Sequence, residues 1–145
     1  MADAGRVARI WIKRAHRGKM DPAERATLVA SRGLAGNANQ GGHRQVTFVS
    51  EEHWRELTAH LDSPDPIARR ANVLLTGIDL HDSRGKTLRI AGCRIRIHGE
   101  TRPCERMDEA CEGLRSALSA PWGGGAYGEV LDDGKIAVGD SVAWE

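Results

Sequence analysis

The sequence predicts a mainly β domain, folded as a closed or nearly closed β-barrel with two or three peripheral helices. Three observations predict it. Apolar and polar residues alternate over short segments, as in half-buried strands. Seventeen glycines place turn signals between these segments. Only two stretches show helical spacing. At 145 residues the chain has the size of one ordinary domain, which we expect to span residues 1–145.

The first half of the chain predicts two strands followed by a helix. RVARIWIK (6–13) has the period-2 alternation of a strand, and RQVTFVS (44–50) has the composition of a second one. Ser50 is placed to cap a helix over residues 51–61, because a serine oxygen accepts from free backbone N–H groups at a helix start. The residues at i, i+3 and i+7 form its buried stripe: Trp54, Leu57 and Leu61.

The second half predicts a strand pair, a helix and two last strands. NVLLTGI (72–78) is an almost continuous apolar run, typical of a buried strand. KTLRIAGCRIRIHG (86–99) contains two strands around a tight Ala91-Gly92 connection. DEACEGLRSALSA (108–120) has helical spacing and ends at Pro121. The remaining elements are two short strands, AYGEVL (126–131) and SVAWE (141–145), with turns at DDGK and VGD.

Charge and apolar patterning exclude several classes of protein. The net charge is +1, whereas proteins dedicated to nucleic acids or membrane surfaces usually carry a strong basic excess. No run approaches the roughly 18 apolar residues of a transmembrane helix, and the start of the chain lacks the apolar core of a signal peptide. We therefore expect a cytoplasmic protein that binds neither nucleic acid nor membranes.

The basic residues are nevertheless clustered. One stretch lies near the start of the chain and a second between residues 84 and 106. Local basic surface in a nearly neutral protein suits a small anionic ligand such as a phosphate-bearing compound, although a solvated strand face explains it equally well. The residues are Arg9, Lys13, Arg14, Arg17 and Lys19 in the first stretch, and Arg84, Lys86, Arg89, Arg94, Arg96, Arg102 and Arg106 in the second.

The three cysteines are not equivalent. Cys111 lies at i, i+3 and i+7 with Leu114 and Leu118, and Cys93 alternates with isoleucines, so both are expected to be small buried apolar residues. Cys104 follows Pro103, which restricts the backbone, and stands just before a helical stretch between two arginines, an arrangement that favours the reactive thiolate. Glu105 and Asp108 partly oppose the arginines, so an ordinary loop cysteine explains the local sequence equally well. The spacing of the cysteines and histidines does not fit a zinc site, and we expect no zinc.

Taken in order, these motifs resemble the MOSC domain, named for the C-terminal part of molybdenum cofactor sulfurases. The likeness runs over roughly residues 33–144. It consists of an Arg-Gln-Val strand, an Arg-x-Asn before a buried strand and Gly-Ile-Asp-Leu, a Pro-Cys at a strand end, and a closing Gly-Asp. The resemblance implies a β-barrel and a site for the pterin-based molybdenum cofactor, whose phosphate would be bound by arginines.

The resemblance also implies roles for individual residues. The Pro-Cys cysteine of the family is the proposed sulfur carrier or protein ligand of molybdenum, which makes Cys104 the catalytic or metal-binding candidate. The implied cofactor contacts are Arg44, Arg70, Asn72, Thr101 and Arg102. One departure concerns a loop in which relatives often have Gly-Asp followed by a histidine, whereas this chain has Asn37 and Asn39.

Three functions are compatible with these residues. In the first, Cys104 accepts sulfur as a persulfide and passes it on, with the sulfur supplied by a separate desulfurase. In the second, Cys104 binds molybdenum in a reductase of N-hydroxylated small molecules, with a separate electron-donor protein. In the third, the domain is a non-catalytic cofactor- or partner-binding module and Cys104 is structural. Cofactor binding is favoured over either specific chemistry, and sulfur transfer is slightly favoured over the reductase.

Overall fold

The computed structural model describes residues 5–145; residues 1–4, part of the segment considered above as a signal peptide, lie outside this range. None of the helices in residues 5–145 has the length and apolar character needed to cross a membrane. The elements in chain order are β1 Gly5–Lys13, β2 Met20–Ala23, β3 Arg25–Val29, β4 Gly33–Leu34, β5 Val46–Ser50, α1 Glu51–Leu57, a 3-10 helix Pro66–Arg69, β6 Val73–Thr76, β7 Thr87–Ile90, β8 Cys93–Glu100, α2 Glu105–Ala110, α3 Leu114–Ala117, β9 Ala126–Val130, β10 Gly134–Ala137 and β11 Ser141–Trp144.

Seven strands close into a barrel in the order β11-β7-β8-β9-β5-β6-β1, with β1 pairing back onto β11. This confirms the predicted mainly β barrel. Strand β2 extends the sheet beyond β1, and β10, β3 and β4 form a separate small sheet. Within the barrel only β5 and β6 run parallel, and α1 and the 3-10 helix supply the crossover that a parallel pair requires.

Two hydrophobic clusters cover the two sides of the sheet. The barrel interior takes the alternating residues of the strands, among them Ile10, Phe48 and Ile97. The second cluster lies outside the barrel wall and beneath the helices, where Trp11 from β1 meets Trp54 of α1. Because β1 alternates between these two clusters, its side chains are buried on both faces.

Several boundaries differ from the sequence predictions. The predicted helix over 51–61 starts behind Ser50, whose Oγ accepts from the His53 N–H as predicted, but it ends at Leu57. The predicted helix over 108–120 is wrong as a single element, since it is interrupted between α2 and α3. Gly113 adopts φ +87° there, a left-handed conformation that a continuous helix excludes. Strands β2, β3, β4 and β10 were not predicted. Strands β2, β4 and β10 have only two to four residues, and β10 begins within the predicted DDGK turn. Strand β3 alternates between exposed and buried residues over five positions, a pattern that sequence reasoning missed.

Candidate functional site: a cysteine within a cluster of cations

Cys104 lies between the end of β8 and the start of α2. Its thiol makes no capping hydrogen bond to the helix, and the side chain packs partly buried against the hydrophobic cluster beneath the helices. Within residues 5–145, the Cys104 sulfur therefore makes no hydrogen bond to the rest of the protein.

Five basic side chains lie within electrostatic range of one another, and Arg69 and Arg70 are also within range of Cys104. We call the five the cation cluster: Lys13, Arg44, Arg69, Arg70 and Arg106. Their proximity is visible in their mutual electrostatics. Burial lowers the pKa of Lys13, and so do Arg70, Arg44 and Arg106. Burial and Arg106 also lower the pKa of Arg70, while a negative charge on Cys104 acts in the opposite direction. Like charges repel at this range, so the cluster is arranged for an anion.

The cation cluster lacks carboxylate partners. Within residues 5–145, none of its five members forms an ion pair within 4.0 Å. Basic residues nearby along the chain are paired instead: Arg14 and Lys19 with Asp21, at 3.5 and 3.7 Å. An anion arriving from solution would therefore supply the missing negative charge.

Arg69 is the most constrained member of the cation cluster. Only 5% of the residue is exposed, and burial, followed by Arg44, lowers its pKa to about 10, against an opposing effect of Cys104. Its Nε donates to the Gly124 carbonyl oxygen, which also accepts from the Thr101 hydroxyl. Its Nη2 is buried and has no hydrogen-bond partner among residues 5–145. A buried guanidinium with an unused donor is costly unless a ligand completes it.

The glycine run before β9 makes this anchoring possible. A Cβ on Gly124 would lie 2.2 Å from the Thr101 carbonyl oxygen, and one on Gly125, which has φ +95°, would lie 2.0 Å from the Phe48 carbonyl oxygen. The loop therefore approaches β8 and β5 more closely than any other residue type allows. This approach brings the Gly124 carbonyl to Arg69.

Asn72 occupies the centre of a buried polar network. Its Nδ2 donates to the Trp11 carbonyl and to Asn37 Oδ1, both at 3.1 Å, and its Oδ1 accepts from the Thr47 N–H at 3.1 Å and the Thr47 hydroxyl at 3.3 Å. The amide is thus fully used within the protein. A direct contact of Asn72 with a cofactor stays a prediction of the family resemblance.

Asn37, at the position where relatives often have an aspartate, is part of the same network. Its Oδ1 also accepts from the backbone N–H of Lys13 at 2.9 Å, so it positions the end of β1 that carries a member of the cation cluster. Asn39 is half-buried, and its side chain makes no hydrogen bond within residues 5–145. The departure from the family pattern therefore has a structural use at Asn37.

The three remaining sequence-predicted residues, Arg44, Thr101 and Arg102, differ in their relation to the cation cluster. Arg44 is exposed, with its guanidinium carbon 5.8 Å from the Tyr127 ring centre, and it belongs to the cation cluster. Thr101 is 1% exposed and acts through the Gly124 carbonyl. Arg102 is exposed and lies 3.6 Å from Glu100 rather than against the cation cluster.

Cys93 and Cys111, both predicted to be buried apolar residues, differ in their burial. Cys93 is buried, as predicted, and burial raises the pKa of its thiol, with smaller effects of Asp132 and Asp140. Cys111 is only half-buried; it ends α2 in an extended conformation and does not lie on a continuous helical stripe. Its side chain still packs against the cluster beneath the helices, so its small apolar role remains although the helix prediction was wrong.

Sequence reasoning missed three members of the cation cluster as site residues: Lys13, Arg69 and Arg106. Arg69 stands directly before Arg70, which the Arg-x-Asn pattern selected instead. A fully buried arginine without a carboxylate partner is rare, and the residues next to Arg69 in the sequence do not show that it is buried. Lys13 and Arg106 were noted only as members of basic stretches.

Comparisons with known proteins agree with this architecture. The family model described as "MOSC domain" matches residues 21–143. The structure of the YuaD protein from Bacillus subtilis superposes with a TM-score of 0.81 at 20% identity, over 96% of this chain and 94% of that one. YiiM from Geobacillus stearothermophilus gives 0.76 at 15% identity, over 98% and 75%. YiiM from Escherichia coli gives 0.69 at 14% identity, over 97% and 69%. No curated protein matches the chain in sequence.

Proposed function

The chain belongs to the MOSC domain family, and from this premise we propose that it binds the molybdenum cofactor and that Cys104 carries sulfur as a persulfide. The observation that carries the proposal is the buried Arg69, whose Nη2 has no hydrogen-bond partner within residues 5–145; a negative charge on Cys104 would raise the pKa of this arginine. A ligand that is both anionic and able to react with sulfur explains why a thiol and an incomplete guanidinium lie together.

The residues present fit such a cofactor. Lys13, Arg44 and Arg69 of the cation cluster would hold its phosphate and other anionic oxygens, and the soft sulfur of Cys104 suits molybdenum or a sulfur ligand of it. Within residues 5–145, no three His, Cys, Asp or Glu side chains come together as a metal-binding group. A metal at Cys104 would therefore need ligands from a cofactor. When bound, the cofactor supplies a redox-active, sulfur-binding metal that the side chains lack.

The sulfur-loading step balances without an added oxidant. The Cys104 thiolate attacks the terminal sulfur of a donor persulfide, R–S–SH; a new S–S bond forms at Cys104, and the donor S–S bond breaks. The donor leaves as the thiolate R–S⁻, and the transferred sulfur keeps its proton, giving Cys104–S–SH. The Cys104 sulfur is oxidised and the donor sulfur is reduced by the same electron pair. The donor is a persulfidated protein such as a desulfurase, acting in trans.

A second candidate function is a molybdenum-dependent reductase of N-hydroxylated small molecules, in which Cys104 is the protein ligand of the metal. The partial burial of Cys104 against the cluster beneath the helices favours it, since a permanent metal ligand does not have to meet a donor protein. This function requires an electron-donor protein in trans.

The test is a measurement of molybdenum, pterin and persulfide in protein from a host that makes the cofactor. We expect stoichiometric pterin in the wild type and a persulfide on Cys104, detected by mass spectrometry after alkylation. Cys104→Ser should lose the persulfide and keep the pterin, because the cation cluster is intact. Stoichiometric molybdenum that Cys104→Ser abolishes, without persulfide, would establish the reductase instead.

Cys111→Ser is the matched control, since Cys111 is also a half-buried thiol against the same cluster. It should change none of the three signals. Absence of pterin, molybdenum and persulfide from a folded wild-type protein would contradict the proposal and leave the non-catalytic binding module. Loss of all signals in Cys111→Ser would show that the two thiols were assigned wrongly.

A further inference from the structure

A cleft of about 520 Å³ opens between the start of β2, the 3-10 helix and α2. Met20, Ile67 and Ala68 give it an apolar floor, and Arg70 and Arg106 stand on its walls. Its volume is in the range of pockets that bind small organic molecules.

The cleft adjoins Cys104. Arg106 follows Cys104 by two residues on the first turn of α2, and Arg70 is close enough to Cys104 for a charge there to raise its pKa. Ile67 and Ala68 pack against the same hydrophobic cluster as Cys104. A molecule lying in the cleft would therefore extend toward the sulfur.

The polar groups of the cleft select for negative charge at one end. Within the described part of the chain, residues 5–145, the Nε of Arg106 is buried without a hydrogen-bond partner, and Arg70 makes one side-chain hydrogen bond, from an amino group to the Gly18 carbonyl. Neither arginine has a carboxylate partner within residues 5–145. Glu109 also lines the cleft and would repel an anion, so the favourable position lies between the two arginines.

We propose that this cleft binds the small-molecule substrate of the Cys104 site, and that the substrate is a compact ring compound carrying a carboxylate or phosphate group. The ring lies on the apolar floor, and the anionic group lies between Arg70 and Arg106. The role as substrate site rests on the second candidate function under "Proposed function", the molybdenum-dependent reductase, whereas the binding itself does not.

Binding is tested by calorimetric titration of the cofactor-free and the molybdenum-loaded protein with four probes. Benzoate and phenyl phosphate combine a ring with an anion, benzamide has the ring alone, and inorganic phosphate has the anion alone. We expect both combined probes to bind at least about tenfold more tightly than either partial probe, with similar affinity in the two forms of the protein. Equal binding of benzamide and benzoate, or no binding of any probe, would overturn the proposal. Binding that disappears on cofactor loading would overturn it too, because the cleft would then belong to the cofactor.

Two variants localise the probes. Arg106→Gln should weaken benzoate about 10- to 100-fold, through loss of a charge-assisted hydrogen bond. Ala110→Trp, at an exposed position on the cleft rim, should block the ring without disturbing the core. Arg115→Gln, an exposed arginine on α3, should leave binding unchanged; benzoate binding that survives Ala110→Trp places the probe elsewhere and contradicts the proposal.

The molybdenum and persulfide measurements distinguish the two proposals. Protein that carries Cys104-dependent molybdenum or persulfide but binds no probe refutes the cleft inference alone. Protein that binds benzoate in the cleft but carries no cofactor and no persulfide refutes the proposed function alone.

Discussion

Replacing Arg69 by methionine distinguishes an arginine that stabilises the fold from one that is kept for a ligand. Methionine has a similar length, fills the same volume and needs no hydrogen bond. The Gly124 carbonyl oxygen that accepts from Arg69 keeps the Thr101 hydroxyl as a donor. The substitution therefore removes the buried charge without leaving that acceptor unpaired.

The magnitude follows from the burial of the guanidinium. Burial, followed by Arg44, lowers the pKa of Arg69 from its ordinary value to about 10, which corresponds to a cost of about 3 kcal/mol for keeping the group charged in the folded state at neutral pH. The lost hydrogen bond to Gly124 offsets about 1 kcal/mol of the gain. We expect Arg69→Met to raise the free energy of unfolding by about 2 kcal/mol in the absence of ligand.

The direction of the Arg69 pKa shift also predicts how the free energy of unfolding depends on pH. The folded-state pKa of Arg69 lies below the unfolded one, so the penalty on the wild type is fully present below about pH 10 and fades as the pH rises from there toward the ordinary pKa of arginine. The stability advantage of Arg69→Met should accordingly be constant across neutral pH. Urea unfolding followed by tryptophan fluorescence measures it, with the four tryptophans of the chain as probes.

Arg69→Met should weaken binding of the cofactor although it stabilises the fold. Loss of one charge-assisted hydrogen bond costs about 1.5–3 kcal/mol, or roughly 10- to 150-fold in affinity for the cofactor. Arg55→Met is the control, because Arg55 is a largely exposed arginine on α1 paired only with Glu51; it should change neither stability nor pterin content. A loss of more than about 2 kcal/mol of stability in Arg69→Met, with pterin retained, would refute the reasoning and make Arg69 a structural residue.

Three further predictions concern the framework around the site. Gly125→Ala should reduce the free energy of unfolding by about 3 kcal/mol more than Gly139→Ala, since both glycines have φ near +95° but only a Cβ at Gly125 meets backbone; equal losses in urea unfolding would contradict this. Asn72→Ala should cost about 3 kcal/mol in the same assay, because it leaves the buried groups that bind its amide unpaired; a loss below about 1 kcal/mol would show that the network is dispensable. The hydrogen bond from Arg94 lowers the pKa of Asp132 from 3.8 to about 2, so its stabilising effect is present above pH 3.8 and lost as the pH falls toward 2. The pH dependence of unfolding in that window should therefore be shallower in Asp132→Asn than in the wild type, and identical curves would argue against the pair.

The barrel could be predicted from sequence because its signals are local. Alternation in RVARIWIK and KTLRIAGCRIRIHG marks strands whose two faces meet different surroundings, and the Ala91-Gly92 turn occurs where predicted, with positive φ at both residues. The helix over 108–120 was mispredicted because apolar spacing continues across Gly113, whose left-handed backbone no periodicity reveals. Very short strands such as β4 leave no pattern long enough to detect.

The sequence by itself determined the fold class and the family, since these depend on local alternation and on motif order. Only the tertiary structure decided which cations come together in the cation cluster. Lys13, Arg44 and Arg106 come from three distant segments, and barrel closure and strand register bring them together. Only the structure, too, shows that Arg69 is buried with an unpaired Nη2. Burial depends on what the rest of the chain packs against a residue, and the letters around Arg69 do not contain that information.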